Sequence, residues 1–255
     1  MSRLALSALA LPLALAAAAS TAQSPASSLK EPAAMAALDR MGAALAKKME
    51  VNVHADVTAE DVLTSGQKLQ YGGTVDIVAR RPNLMRLNYK MGSAERILYF
   101  DGKTLTMSAP SLGFYASTAA PGTIGNMLKM AEDKYGLEIP LADLFMWSAD
   151  PKLAAKVTSA ISAGTEQIGG FNCEHYAARQ DGVDWQIWIR EGENALPCKL
   201  VITMTSDPAM PQFSSVYHWS DDPPPGAEAY AFVPPAGANP IVFGALKTNA
   251  ASKGN

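Results

Sequence analysis

The stretch from Gly169 to Thr205 constrains the fold most, because it holds the longest uninterrupted run of strand and turn patterns in the chain. Gly169-Gly170 and Asp181-Gly182 supply residues that accept the positive φ of tight hairpin turns. The segments between these turns are rich in β-branched and aromatic residues, such as Trp185 and Ile187, which suit pleated strands. The pattern therefore predicts a three-stranded antiparallel meander.

Similar alternation predicts further strands on both sides of the meander. Apolar residues from Val51 to Val57 alternate with polar ones, and Asp101-Gly102 is a strong hairpin signal. We expect about ten to eleven antiparallel strands in all, with a last edge strand at Ala229–Val233.

Two segments depart from the strand pattern and favour helices. Apolar residues recur at helical spacing from Glu31 to about Lys48. A second apolar segment begins after Pro121-Gly122, where Thr123 is suited to cap a helix and Gly136 to end it. A short helix is expected to follow near Pro140, and the two together form an apolar helical insert between two runs of strands. Because a large sheet must bury one face, the sequence predicts an α+β fold. Its strongly curved antiparallel sheet, an unclosed β-barrel, is covered on the concave face by helices.

The beginning of the chain has the features of a Sec-type signal peptide. One arginine precedes an apolar run, and small residues lie around Ala22, so residues 1–22 are expected to be removed by cleavage near Ala22. The alternative is a membrane anchor, but an apolar run of about 15 residues is short for a span of about 20. We expect a soluble periplasmic protein without stable membrane insertion, with one domain over residues 23–246 and a flexible tail over 247–255.

The charge of the chain limits its partners. Acidic residues outnumber Lys and Arg by 24 to 21. Such a surface argues against nucleic acid and against anionic lipid head groups as partners.

The two cysteines, Cys173 and Cys198, lie on the outer strands of the predicted meander. Regular pairing would place them on either side of the middle strand, about 10 Å apart. That distance exceeds the limit of about 7 Å between the α carbons of a disulfide. Regular pairing therefore argues against a bond, whereas a bulge or a long second loop would permit one.

No pattern of catalytic or metal-binding residues is present in the sequence. His54, His175 and His218 occur in no close metal-ligand spacing, and there is no G-x-S-x-G motif. Cys173 and His175 are two residues apart on one strand, a separation too loose for a catalytic dyad. We therefore predict no catalytic residue, no metal site and no cofactor.

Apolar side chains of the helical insert are candidates for lining a ligand cavity, because thioether and aromatic groups adapt to irregular partners such as acyl chains. Trp185 and Trp188 are three residues apart on one strand, so their side chains point to opposite faces of the sheet and at most one of them faces the concave side. The candidate ligand-binding residues are Met127, Leu128, Met130, Phe145, Met146 and Trp188. Ordinary core filling is the alternative for each of them.

Several segments resemble a known bacterial family. They are DGVDWQIWI, preceded by CEHYAARQ and followed by LPCKLVIT, together with FDGKTLTM, APGTIGNML and YGLEIPLADLF. From about Met35 to Phe243 the chain resembles the predicted periplasmic proteins of domain-of-unknown-function family 2092. That family is distantly similar in fold to the LolA and LolB carriers of outer-membrane lipoproteins. The resemblance implies a LolA-like unclosed barrel with a helical lid over an apolar cavity for acyl chains, and it transfers no catalytic residue.

These observations support four hypotheses of function. The first is a periplasmic binding or carrier protein for a lipid or for lipoprotein acyl chains. The second is an RseB-like sensor that contacts another envelope protein. The third is a structural protein with a filled core. The fourth is a secreted hydrolase, which would need a Ser or Cys hydrogen-bonded to His175 or His218.

Overall fold

The computed structural model describes residues 29–149 and 152–244, which form one sheet with helices on one face. The predicted signal peptide and tail lie outside these residues. The helices are α1 (Pro32–Lys47), α2 (Ile124–Tyr135), α3 (Asp143–Ala149) and α4 (Lys152–Lys156). The strands are β1 (Glu50–Val62), β2 (Lys68–Arg80), β3 (Leu84–Met91), β4 (Ala94–Phe100), β5 (Thr104–Ala109), β6 (Phe114–Ala119), β7 (Ser159–Ile168), β8 (Phe171–Gln180), β9 (Val183–Arg190), β10 (Pro197–Met204), β11 (Gln212–Trp219) and β12 (Asn239–Ile241).

The sheet consists of two meanders joined side by side. Strands β1 to β6 pair in sequence, as do β7 to β11, and the two halves meet where β1 pairs with β11. All pairings are antiparallel except that of β12 with β6. The edge strands β12 and β7 do not pair with each other, so the sheet of 12 strands is not closed. This arrangement confirms the predicted α+β class and the unclosed antiparallel sheet.

One face of the sheet and the helices share a single apolar core. Fully buried members come from both meanders, such as Ile77 and Ile189, and from the helices, such as Leu38, Met127 and Phe145. Since strands across the width of the sheet contribute to one cluster around the helices, the sheet curves around them. The helices therefore cover the concave face, as predicted.

Local sequence signals set the ends of the helices. Pro32 is the first residue of α1, where its missing N–H costs no hydrogen bond. The Thr123 hydroxyl accepts a hydrogen bond from the Asn126 N–H at the start of α2, and Gly136 ends that helix with a φ of 62°.

Arg81 fastens α1 and α3 to the sheet from the end of β2. Its guanidinium donates hydrogen bonds to the carbonyl oxygens of Lys48 (3.2 Å) and Leu45 (3.3 Å), near the end of α1. It also donates to the Leu144 carbonyl in α3, at 3.5 Å, and lies 5.1 Å from the Phe145 ring centre. Burial lowers the pKa of Arg81, but an arginine remains charged at neutral pH. A single cation thus satisfies carbonyl groups of two helices.

The predicted meander is confirmed as β8, β9 and β10, but the expected distance between its cysteines was wrong. Cys173 is paired with Arg190 as expected, whereas the register of β10 against β9 shifts between Pro197 and Lys199. Cys198 lies in this bulge. The two α carbons are 6.6 Å apart and a disulfide joins the residues. The 10 Å estimate assumed a regular ladder, which the bulge interrupts.

The predicted edge strand at Ala229–Val233 was also wrong. A short 3-10 helix spans Ala227–Tyr230 and buries Tyr230 completely. Pro234-Pro235 follow, and proline has no N–H to donate to a neighbouring strand. The chain adds its last strand later, as β12 beside β6.

No helix among residues 29–149 and 152–244 combines the length and the apolar character needed to cross a lipid bilayer.

We expect the disulfide to contribute to stability, since it closes a loop with a sequence separation of 25. The double variant Cys173→Ser/Cys198→Ser should lose about 3 kcal/mol of unfolding free energy, chiefly because its unfolded chain is less constrained. Urea unfolding monitored by tryptophan fluorescence measures this loss. Adding dithiothreitol should lower the stability of the wild type to that of the variant, and equal stability of oxidised wild type and variant would contradict the expectation.

We also expect Arg81→Met to lower the unfolding free energy by about 2 kcal/mol, because helix carbonyls lose their donor. The matched control is Arg80→Met. Arg80 is partly exposed and forms a surface ion pair with Glu50 at 3.2 Å, so its loss should change stability by less than about 0.5 kcal/mol. Equal effects of the two variants in urea unfolding would refute the proposed role of Arg81.

Candidate functional site

The main cavity, which has a volume of about 270 Å³, lies between the helices α1 and α3 and the strands β9, β10 and β11. Its lining is almost wholly apolar, with few polar groups. The lining residues are Met41, Leu45, Asp143, Leu144, Trp147, Gln180, Val183, Trp185, Ile187, Pro197, Leu200, Ile202 and Tyr217. The cavity therefore lies where the helices cover the sheet incompletely.

Close packing of α1 against α3 forms the helical wall of this cavity. The Trp147 Nε1–H donates a hydrogen bond to the Leu38 carbonyl oxygen at 3.2 Å. A β carbon on Gly42 would lie only 3.1 Å from Cδ1 of Trp147, so the glycine allows the indole to approach the helix. On the other side, the Trp147 and Trp185 rings meet edge-on at 5.7 Å between centres. Trp147 thus connects α1, α3 and β9.

Asp143, at the start of α3, borders this cavity and two neighbouring ones. The second cavity, of about 390 Å³, extends toward the β10–β11 hairpin, and the third, of about 330 Å³, lies beside α2 and α4. Asp143 is exposed by its overall accessible surface and lines all three cavities, yet the protein around its carboxyl group displaces part of the surrounding water. Burial is the main cause that raises the pKa of Asp143, and the negative charge of Glu132 raises it further. Asp143 thus lies where the three cavities meet.

Two neutral polar groups border the main cavity beside Asp143. Burial raises the pKa of Tyr217, so its hydroxyl stays protonated at neutral pH. Trp185 is 8% exposed, and its Nε1–H has no hydrogen-bond partner in the part of the chain that the structure describes. An unpaired buried donor is uncommon and costs free energy.

The residues expected from sequence to bind a ligand occupy different positions. Leu128 and Met146 line the third cavity. Met127 and Phe145 are buried in the core, and Met130 packs partly buried against that core. Trp188 packs with Cys173 and Cys198 in a separate cluster on the opposite face of the sheet. The structure thus brings Leu128 and Met146 to a cavity, and it brings Trp185 rather than Trp188 to the concave face.

Several lining residues were missed by the sequence reasoning. Met41 and Leu45 fall within the helical pattern of α1 and Tyr217 within the strand β11, and no feature of the sequence marks them as lining a cavity. Asp143 had one available signal, since it is the single acidic residue in the apolar segment from Ile139 to Trp147. A lone carboxyl in such a segment indicates either a helix start or a polar group in an apolar site.

The histidines lie outside the cavities. His54 Nδ1 is 2.7 Å from Asp76 Oδ1, and His218 Nε2 is 2.9 Å from Asp56 Oδ2. The hydrogen bond with Asp76 is the largest cause that raises the pKa of His54.

His175 lies 3.0 Å from Gln186 through Nε2 and stacks on the Trp188 ring at 3.9 Å. The partners of His175 are thus the Gln186 amide and, at 3.4 Å from Nδ1, the Glu166 carboxylate. The partner of His218 is a carboxylate, and Cys173 is held in the disulfide. The serine or cysteine partner that the hydrolase hypothesis requires is therefore not the partner of these histidines. Within residues 29–149 and 152–244, no three His, Cys, Asp or Glu side chains are grouped so as to hold a metal ion.

The raised pKa of Asp143 predicts a pH-dependent stability. A carboxyl with a folded-state pKa above its unfolded value destabilises the fold when ionised. This penalty is absent below the unfolded pKa of about 3.9 and grows as the pH rises through the folded pKa. Asp143→Asn should therefore be more stable than the wild type at about pH 8, by about 0.5 kcal/mol after allowing for solvent screening.

The difference between Asp143→Asn and the wild type should vanish near pH 4, as measured by urea unfolding at both pH values. Asp133→Asn is the matched control, because Asp133 is an exposed residue of α2 paired with Lys129 at 2.8 Å. It should show no such gain at high pH. A gain in stability for Asp143→Asn that is the same at both pH values would contradict a raised pKa of Asp143 in the folded protein.

Known structures share features with this chain at low sequence identity. It is similar to the Mycobacterium tuberculosis lipoprotein LppX, with 12% identity, 75% of this chain and 97% of LppX covered, and a TM-score of 0.48. It is similar to LprF from Mycobacterium bovis, with 13% identity, coverage of 82% and 99%, and a TM-score of 0.46. It is also similar to a LolA superfamily protein from Nitrosomonas europaea, with 10% identity, coverage of 78% and 97%, and a TM-score of 0.32.

No curated protein matches the sequence. A family model described as "Predicted periplasmic protein (DUF2092)" matches residues 34–244. This match confirms the resemblance seen in the sequence motifs and the periplasmic location. The chain belongs to the DUF2092 family of predicted periplasmic proteins.

Proposed function

We propose that the protein is a periplasmic binding or carrier protein for an apolar ligand, either a lipid or the acyl part of a lipoprotein. The observation that carries this proposal is the apolar cavity between α1, α3 and the concave face of the sheet. Its volume of about 270 Å³ lies near the lower end of the range of about 300–1,000 Å³ for small-molecule pockets. The two cavities that share Asp143 with it would extend the space for a chain-like ligand.

Binding would use the helices as a movable cover. In the proposed mechanism, α3 moves away from the strands, an acyl chain enters beside Leu200 and Ile202, and the cover closes over it. Each methylene that leaves water contributes about 0.8 kcal/mol before the ordering costs are subtracted. The ligand contacts would come from the lining of the three cavities, including Leu128 and Met146. Met127, Met130 and Phe145 would support this cover from the core, and Trp188 would stabilise β9 from the opposite face.

The periplasmic location supports the same proposal, and so does the distant similarity in fold to LolA-type carriers that membership of this family implies, since lipids and acylated proteins must cross this compartment. The test is native mass spectrometry of the mature protein purified gently from its own periplasm, followed by lipid extraction. A stoichiometric acyl-bearing species would support the carrier function. A protein that is empty and also fails to take up a fluorescent fatty acid or a neutral lipid would refute it and favour a role in protein contacts.

We expect Ile202→Trp to reduce ligand uptake at least about tenfold, because Ile202 borders both the main cavity and the cavity next to it. The larger side chain would fill the space between them. The matched control is Ile241→Trp, at an exposed position of the edge strand β12. Uptake of a fluorescent lipid is measured for both variants, with circular dichroism to check folding. Normal uptake by a folded Ile202→Trp protein would show that these cavities do not bind the ligand.

A further inference from the structure

The main cavity contains one carboxyl group among its apolar lining, and this group has no cationic partner. The charged neighbour that acts on Asp143 is Glu132, another acid. Among the residues that the structure describes, no lysine or arginine forms an ion pair with Asp143. A carboxylate placed in an apolar site without a counter-charge is costly, so the neutral acid is favoured there.

Both acids and cations lie on the surrounding elements, but the guanidinium of Arg81 is bound to the carbonyl groups of Leu45, Lys48 and Leu144. Glu132 of α2 and Glu138 of the α2–α3 connection line the third cavity together with Lys156 of α4. Glu138 and Glu60 of β1 line the second cavity, where Glu60 is bound to Lys68 at 2.9 Å. Tyr217 of β11 stays neutral. The charge that acts on Asp143 is the negative charge of Glu132, and an anionic ligand group placed beside these two acids would be repelled.

The remaining polar side chains at the cavity, those of Tyr217, Trp185 and Gln180, carry no charge. The Tyr217 hydroxyl borders the same cavity as Asp143, and so does the indole of Trp185, whose N–H is unpaired. Two donors beside an apolar chamber suit a ligand group that accepts hydrogen bonds, and the neighbouring acid favours one that carries no negative charge.

On the basis of the proposed function, we propose that Asp143 selects apolar ligands whose polar group is a neutral carbonyl, an ester or an amide, over ligands that end in a free carboxylate. The Tyr217 hydroxyl and the Trp185 N–H donate hydrogen bonds to the carbonyl oxygen of the ligand, and the unpaired Asp143 carboxyl disfavours a second carboxylate beside it. A carboxylate in the same position would force two acids to share the site or to lie side by side as anions. The residue acts by binding and discrimination, and no bond is formed or broken.

The test compares laurate with lauramide, which have the same acyl chain and nearly the same shape at the polar end. Binding of each to the mature protein is measured by titration calorimetry at about pH 7.5. The wild type should bind lauramide at least about tenfold more tightly than laurate, because only laurate brings a negative charge to Asp143. Asp143→Asn should bind both ligands within about threefold of each other, mainly through tighter binding of laurate.

Asp133→Asn is again the matched control, since it removes a carboxylate from the outside of α2, and it should keep the preference of the wild type. If the wild type binds both ligands equally, or prefers laurate, the selectivity inference is overturned while the carrier function stands. The same holds if Asp143→Asn keeps the full preference for lauramide. If none of the three proteins binds either ligand, and the protein purified from the periplasm carries no lipid, the proposed function itself fails.

Discussion

The connection between β6 and β7 is the constraint on which the rest of the structure depends. β6 lies beside the edge strand β12, whereas β7 is the opposite edge of the sheet. The chain between them must therefore cross the width of the sheet, and it does so as α2, α3 and α4. Apolar side chains such as Met127 and Phe145 make the concave face the favourable place for this crossing, because burial removes them from water. The apolar connection between β6 and β7 thus accounts both for the helical cover and for the curvature of the sheet around it.

A cover made of short helices cannot fill a curved sheet as well as another sheet would. α1 and α3 are held together by Trp147 and Arg81, and the latter reaches both helices from the end of β2. Where α3 begins, the packing is interrupted and the three cavities meet at Asp143. In the proposed function, this carboxyl group would border the ligand.

Strands, hairpins and helix ends could be predicted because their signals are local. Alternation places Val53 and Ile77 on the buried face, and Thr123 and Gly136 mark the ends of α2. The errors have a different origin. Whether Trp185 or Trp188 faces the cavity depends on which side of the whole sheet the helices occupy, and parity within one strand does not contain that information. The disulfide depends on a bulge at Cys198, and the misplaced edge strand depends on a buried position for Tyr230.

The sequence by itself determined the family, the periplasmic location, the strand order within each meander and the existence of a helical insert. These follow from motifs and from periodicities of two and 3.6 residues, which act over a few neighbouring positions. Only the tertiary structure decided that β1 and β11 join the two meanders and that Asp143 meets Tyr217 and Trp185 at one cavity. These residues belong to distant segments, and they come to one cavity because the sheet curves around the helices, which no local pattern encodes.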